Sequence, residues 1–229
     1  MSVLTAAQKA GIRIKGEAPV SLFSSPSKFA TELANLADEV ATSIMKAHDW
    51  RRLTLLKTIT GDGSDTSFAL PSDYDRMPLG ANVYSTSTYL PLKPVRDVNQ
   101  WLEFQIDPVV GDPGFWIILG NEFQIKPALG SGSTAKFYYI SNLCITGGTK
   151  SGFTADADTF DIGGDRLITL GLIYRWKELK ALDFSLDIEN YNNALSQEIA
   201  RDKGARIMMV GTPRYSSDVN VAYPGTITP

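Results

Sequence analysis

Cysteine and histidine are almost missing from this chain: its 229 residues hold one of each, Cys144 and His48. A lone cysteine cannot close a disulfide within the chain, and one of each cannot build a zinc cage of Cys and His ligands. A Cys–His nucleophilic pair would have to join Cys144 to His48, and no local motif supports one. His48, in "KAHDWRR", falls near the expected end of a helix, where a surface imidazole suits the helix dipole. Long apolar runs are missing as well. None reaches about eighteen residues, so no membrane-spanning helix is expected. The opening "MSVLTAAQKAGIRIKGE" lacks the apolar stretch of a secretory signal, which favours a cytoplasmic origin. An excess of positive charge is also lacking, with 22 Lys and Arg against 25 Asp and Glu. Tight binding to nucleic acid through its phosphates needs clustered cations. The basic pieces, Arg51-Arg52 and Arg175, Lys177 and Lys180, are short and read as solvated helix face or local ion pairs. Neither a repeat nor a low-complexity block is visible.

What is present is an ordinary globular composition, 43% hydrophobic and 21% charged, in a chain long enough for a real core. The spacing predicts a short helix near Val3–Ala10, stopped by Gly11. A longer one follows, capped by Ser25 with Pro26 in its first turn, and carrying Phe29, Leu33, Leu36, Val40, Ile44 and Ala47 on one face. From Leu53 to about Phe160 the pattern turns to strands. "LTLLKTIT-GDGSD-TSFALP" reads as a hairpin, and "ANVYSTSTYLPL", "GFWIILG-NE-FQIKPAL" and "TAKFYYISNLCI" as further β-branched and aromatic strands. They suggest a compact antiparallel sheet or small barrel, with a short helix at Arg96–Phe104. Helical spacing returns at Asp165, a candidate cap. In "DRLITLGLIYRWKELKALDF" the apolar residues Leu167, Ile168, Leu170, Leu172, Ile173, Tyr174 and Trp176 point in nearly every direction. The next helix has one clean stripe, Phe184, Ile188, Tyr191, Leu195 and Ile199, and Gly204 as its stop. "GTPRYSSDVNVAYPGTITP" reads as an extended arm or disordered tail.

The expected fold class is therefore α+β: a helical bundle from both chain ends with an inserted antiparallel β region. The expected divisions are residues 1–52 plus 161–209 for the bundle, 53–160 for the β domain and 210–229 for the arm. Two domains in series are the alternative.

Candidate chemistry is sparse. "TGGTKSG", residues 146–152, glances toward a phosphate loop, but Thr149 stands where glycine must precede the lysine, so a polar turn between strands is expected. "GSGS", residues 130–133, reads as a hairpin loop. Asp156, Asp158, Asp161 and Asp165 could supply oxygens to Ca²⁺, yet the EF-hand order is absent and a loop leading into a helix cap explains them. Trp101, Phe115, Trp116, Tyr138 and Tyr139 could make a sugar-binding platform, or simply core. No catalytic, metal or cofactor site is assigned.

"RLITLGLIYRWKELKALDFSLDIENYNNALSQEIARDKG" resembles the C-terminal part of head-to-tail adaptor (connector, neck) proteins of tailed bacteriophages. "KAGIRIKGEAPVS", then a helix ending "AHDWRRLT", then "FALPSDYDRM" follow in the order such adaptors show. The resemblance covers about two-thirds of the chain, and residues 81–160 carry little of it. It implies a homo-oligomeric, usually dodecameric, ring beneath the portal protein at the head–tail junction of the virion, assembled in the host cytoplasm. The ring would extend the channel through which DNA passes without sequence-specific binding, and would dock tail or nozzle proteins. It catalyses nothing. Neighbouring subunits would then cover the all-round apolar helix, with Leu170, Ile173, Tyr174 and Trp176 at the contact; burial wholly within one monomer is the alternative. Tyr215, Val219, Val221 and Tyr223 in the arm would lie on a partner. A ligand- or glycan-binding β-module on a helical stalk is the competing functional class, favoured if Trp101 and Trp116 are exposed and coplanar.

Overall fold

The computed structural model describes residues 2–87, 90–106 and 113–203. Helix α1, Val3–Lys15, opens on Ser2, whose hydroxyl accepts from the Thr5 amide, and closes on Gly16 in the left-handed conformation at φ 75°. The expected stop at Gly11 is instead inside the helix. A Cβ there would sit 2.5 Å from the Glu17 carbonyl oxygen, so this glycine lets the returning loop pass close to α1. Helix α2, Lys28–Ala47, starts two residues beyond the expected Ser25–Pro26 entry, at Ser27, and buries Phe29, Leu33, Leu36, Val40 and Ile44; Ala47 is exposed.

After a 3₁₀ turn at Arg51–Leu53 come the strands β1 (Thr54–Thr60), β2 (Ser67–Ala69), β3 (Tyr74–Arg76), β4 (Val83–Ser85) and β5 (Pro91–Pro94). Helix α3, Val98–Ile106, precedes β6 (Phe115–Leu119), β7 (Glu122–Lys126) and β8 (Thr134–Ser141). Helices α4, Gly164–Leu179, and α5, Ser185–Lys203, complete the described chain. Asp165 lies in the first turn of α4 and not at its cap, which is Gly163 at φ 65°.

The strands run β1-β8-β4-β5-β6-β7-β2, with β3 added beside β8. The segment read as a first hairpin is not one. β1 pairs with β8 and β2 with β7, so the loop between them carries the chain from one end of the sheet to the other. Asp62 stiffens that loop by accepting from the amides of Ser64 and Asp65. The "WIILG-NE-FQI" hairpin does form, as β6–β7, with Gly120 and Asn121 both at positive φ as a tight two-residue turn requires.

The expected fold class needs correction. The chain is a mixed α/β fold with eight strands in a nearly closed, barrel-like sheet and five helices among the described residues, not a helical bundle from both ends carrying an antiparallel insert. Two physical causes stand out. Helix α3 crosses over between β5 and β6, which makes that pair parallel, because a parallel connection needs a crossover that a tight turn cannot supply. The helices also do not enclose a core by themselves. Leu53 from the turn before the sheet, and Ile140, Cys144, Ile145, Phe153 and Ile162 from the sheet and the segment after it, are buried in the same cluster as the apolar faces of α1, α2, α4 and α5. A second core fills the barrel, where Trp116, Phe123 and Phe137 stack at 5.4 and 4.7 Å between centroids.

Candidate functional site: surfaces for assembly

Helix α4 lies beneath α1, α2 and α5 of its own chain. Leu167, Ile168, Gly171, Leu172, Ile173, Tyr174 and Trp176 are buried around its circumference. Gly171 makes this possible: a Cβ there would meet Val40 Cγ1 at 2.4 Å, so only a residue without a side chain lets α2 cross so close. Trp176 packs edge-on against Phe29 at 5.9 Å and donates its indole N–H to Glu32. Tyr174 packs on Tyr191 at 4.8 Å, and the Arg175 guanidinium lies over its ring. Of the four side chains expected at a subunit contact, Ile173, Tyr174 and Trp176 therefore have neighbours from this chain on every side. Leu170 is half-buried and lines a cavity of about 670 Å³ with Lys9, Ile12, Arg13, Arg166, Thr169 and Asn190. That cleft brings three cations together from two helices far apart in sequence. Distance along the chain is why sequence reading missed them.

Among the other uncovered apolar side chains, two groups adjoin the helices and the sheet. Leu179, Leu182 and Leu186 are exposed around the α4–α5 turn. On the outer face of the barrel, Leu56 pairs with Tyr138 across β1–β8, and Tyr84 of β4 lies opposite Lys136 of β8. With Leu79 they line a groove of about 550 Å³. The adjacent apolar pairs Leu55-Leu56 and Tyr138-Tyr139 were the available signal: on a strand, neighbours face opposite ways, so one of each pair must point outward. Tyr215, Val219, Val221 and Tyr223, expected to bind a partner, lie outside the described residues.

The aspartates of the segment after β8 are spent on the chain itself. Asp156 accepts from the Leu22 and Phe23 amides and ties the α1–α2 loop. Buried Asp158 accepts from Lys150 Nζ at 2.6 Å, the Thr146 hydroxyl and the Thr154 and Ala155 amides. Burial works against its charge, but Lys150 and those donors prevail and hold its acidity far below the ordinary carboxylate range. Asp161 accepts from the Gly147 and Gly148 amides and from Arg52. The glycine turn that glances toward a phosphate loop thus does cradle an anion, and the anion is its own Asp161 carboxylate. From α2, Asp38 reaches across to the Phe153 amide at 2.7 Å. Among the described residues no group of three His, Cys, Asp or Glu side chains gathers as a metal cage.

Trp101 is buried and donates to Gln124, while half-buried Trp116 donates to the Leu92 carbonyl and stacks on Phe123. They present no coplanar exposed platform for a sugar. Tyr139 is buried with its hydroxyl on Asp73, and burial together with that carboxylate pushes it up to about 12. His48 closes α2 with Nε2 3.4 Å from Asp202 of α5 and its ring edge-on to Trp50. Cys144 is buried, and burial, aided by Asp161, pushes its thiol up to about 11. No described helix is long and apolar enough to cross a membrane.

Among the described residues the aspartates of the segment after β8 pin the chain's own loops, while apolar patches and a cleft holding Lys9, Arg13 and Arg166 stand open. The chain belongs to the SU10 adaptor protein family, whose model matches residues 3–222, through helices and barrel alike. That makes it a bacteriophage structural adaptor, a virion-associated protein that contacts other head or tail proteins. The family is structural and is no known enzyme class. A comparison with curated proteins returns no match.

Proposed function

We propose that copies of this chain form a ring, dodecameric as in head-to-tail adaptors, between the portal and the tail at the head–tail junction. The ring extends the DNA channel and offers tail or nozzle proteins a docking surface. The observation that carries this reading is the family match over residues 3–222, which takes in nearly the whole chain. Two surface features support it. The cationic cleft around Leu170 and the exposed Leu179, Leu182 and Leu186 lie on different parts of the helices, as the head-to-tail contacts of a closed ring require. Leu170 would meet the neighbour directly. Ile173, Tyr174 and Trp176 would act from below, by fixing α1, α2 and α5 in the positions that present the contact. Residues 1–52 and 161–209 would serve as the ring body, residues 53–160 as a β domain facing a partner, and residues 210–229, with Tyr215, Val219, Val221 and Tyr223, as an arm onto the portal or tail. The net charge of −3 suits a channel that must let DNA slide.

The test is the mass of the native particle, alone and with portal protein. A large ring in either state is expected, and Leu170→Asp should reduce it to folded monomers. A chain that stays monomeric in both conditions overturns the reading.

A further inference from the structure

The cleft between α1, α4 and α5 is charged in one sense. Arg13 of α1 and Arg166 of α4 line it from exposed positions, and among the described residues no carboxylate pairs with either. Lys9 beside them pairs with Asp165 at 3.5 Å. The apolar part of the lining is Ile12, 57% exposed, and half-buried Leu170. Such a cleft suits a partner that brings apolar side chains and a negative charge together.

The turn between α4 and α5 carries that set. Leu179 is 57% and Leu182 51% exposed, and Asp183 next to Leu182 is exposed as well. Asp183 accepts from the Ser185 amide at 3.0 Å and from its hydroxyl at 2.7 Å, which fixes the carboxylate in place without cancelling its charge. The lysines nearby are spent elsewhere, Lys177 on Asp187 and Lys180 on Glu32. The charge left to meet a partner at this turn is therefore negative.

The two surfaces are also placed to serve different molecules. Leu170 and Leu179 are nine residues apart on α4, which is about two and a half helical turns. They lie on opposite sides of the helix, roughly 13 Å apart along its axis. One copy cannot fold its own turn into its own cleft. The next copy can supply it, and a contact between two different surfaces repeats from head to tail.

We propose that the α4–α5 turn of one copy seats in the α1–α4–α5 cleft of the next. Leu179 and Leu182 meet Ile12 and Leu170, and the Asp183 carboxylate meets Arg13 and Arg166. This rests on the ring proposed above and names the segment that each neighbour contributes to it.

The experiment uses two full-length variants. One reverses the cleft, Arg13→Glu with Arg166→Glu, and the other reverses the turn, Asp183→Arg. Each should stay folded by circular dichroism and lose the native ring mass, with assembly weakened about tenfold or more. Mixed in equal amounts they should recover it, because in an alternating ring every turn again meets a cleft of opposite sign. A merely damaged variant would not be rescued in this way. Asp183→Asn, which keeps an acceptor for Ser185, should weaken assembly less than Asp183→Arg. A photo-reactive maleimide on Leu186→Cys, at the edge of the turn, should cross-link to residues 9–13 of another copy; Cys144 is buried and stays unlabelled. If the native chain forms a ring but the reversed variants assemble alone, or their mixture does not recover, the contact is wrong and the ring stands. Cross-links from Leu186→Cys to portal protein in place of another copy would also overturn it. If the native chain forms no ring, both readings fall together.

Discussion

The core between the helices mixes aliphatic side chains and alanines with edge-on or tilted ring pairs such as Phe29–Trp176 and Tyr174–Tyr191 and is crossed so tightly that Gly171 touches Val40, whereas the core of the barrel sets aliphatic side chains around stacked rings from Trp116 to Phe137. The helical core draws in residues from both chain ends and from the segment after β8, and it leaves α4 enclosed. The barrel is filled from within but keeps apolar side chains on its outer wall. The difference teaches where each region leaves hydrophobic surface over: the helices at their ends, at Ile12 and at Leu179, Leu182 and Leu186, the barrel along its outer wall at Leu56, Tyr84 and Tyr138. Asp38, Asp156, Asp158 and Asp161 fasten the segment that joins the two.

The comparison is best broken by emptying each core in turn. Trp176→Ala and Phe137→Ala should each cost about 3–5 kcal/mol, as large aromatic truncations do in packed cores. Thermal unfolding followed by far-UV and near-UV circular dichroism checks this. If Trp176→Ala is almost neutral, α4 is not enclosed by its own chain.

Asp158→Asn comes next, at about 1.5–3 kcal/mol, because an amide NH₂ must then face either Lys150 or the Thr154 and Ala155 amides. The same carboxylate gives a pH dependence. Its folded pKa lies below the ordinary value of 3.8, so its stabilisation is complete above that value and is lost as pH falls toward the folded one. Denaturant melts between pH 6 and 2 should show a steeper acid loss in the native chain than in Asp158→Asn. Parallel curves would remove the joint between the regions from the account.

Gly171→Ala should destabilise by about 1–3 kcal/mol, since the added methyl must displace Val40. Gly16→Ala puts its Cβ in open space and carries only the strain of a left-handed φ, so it should cost less. Equal melting temperatures for the two variants would contradict the close α2–α4 crossing.

The smallest effect is chemical. With its thiol raised to about 11, buried Cys144 should resist a thiol reagent at neutral pH and react at the rate of unfolding. Fast labelling of folded protein would show that the seam between helices and sheet opens.

Much of the helical part was legible. The stripe from Phe29 to Ile44 and the one from Ile188 to Ile199 repeat at helical spacing because each helix buries one face, and α4 stood out because its apolar residues are buried nearly all round, Leu170 excepted. Gly11 and Gly171 were harder. A glycine that ends a helix and one that admits a neighbour look alike in one dimension, and the second kind is defined by an atom such as the Glu17 oxygen or Val40 Cγ1. The candidate surfaces were legible in kind and not in place. Leu170 reads as one apolar residue among seven, and only the packing of α1, α2 and α5 leaves it open where the others are closed.

By itself the sequence determined which segments become helix or strand, that metal cages of Cys and His are out of reach, and that one helix must be covered all round. Periodicity, turn residues and composition are local properties, and local contacts decide them. Tertiary structure alone decided that β1 pairs with β8 and not with β2, that α3 turns β5 and β6 parallel, and that Asp161 occupies the glycine turn. Strand pairing, crossover and anion capture join residues far apart along the chain, so their energies depend on which distant surfaces meet, and no window of neighbouring residues contains them.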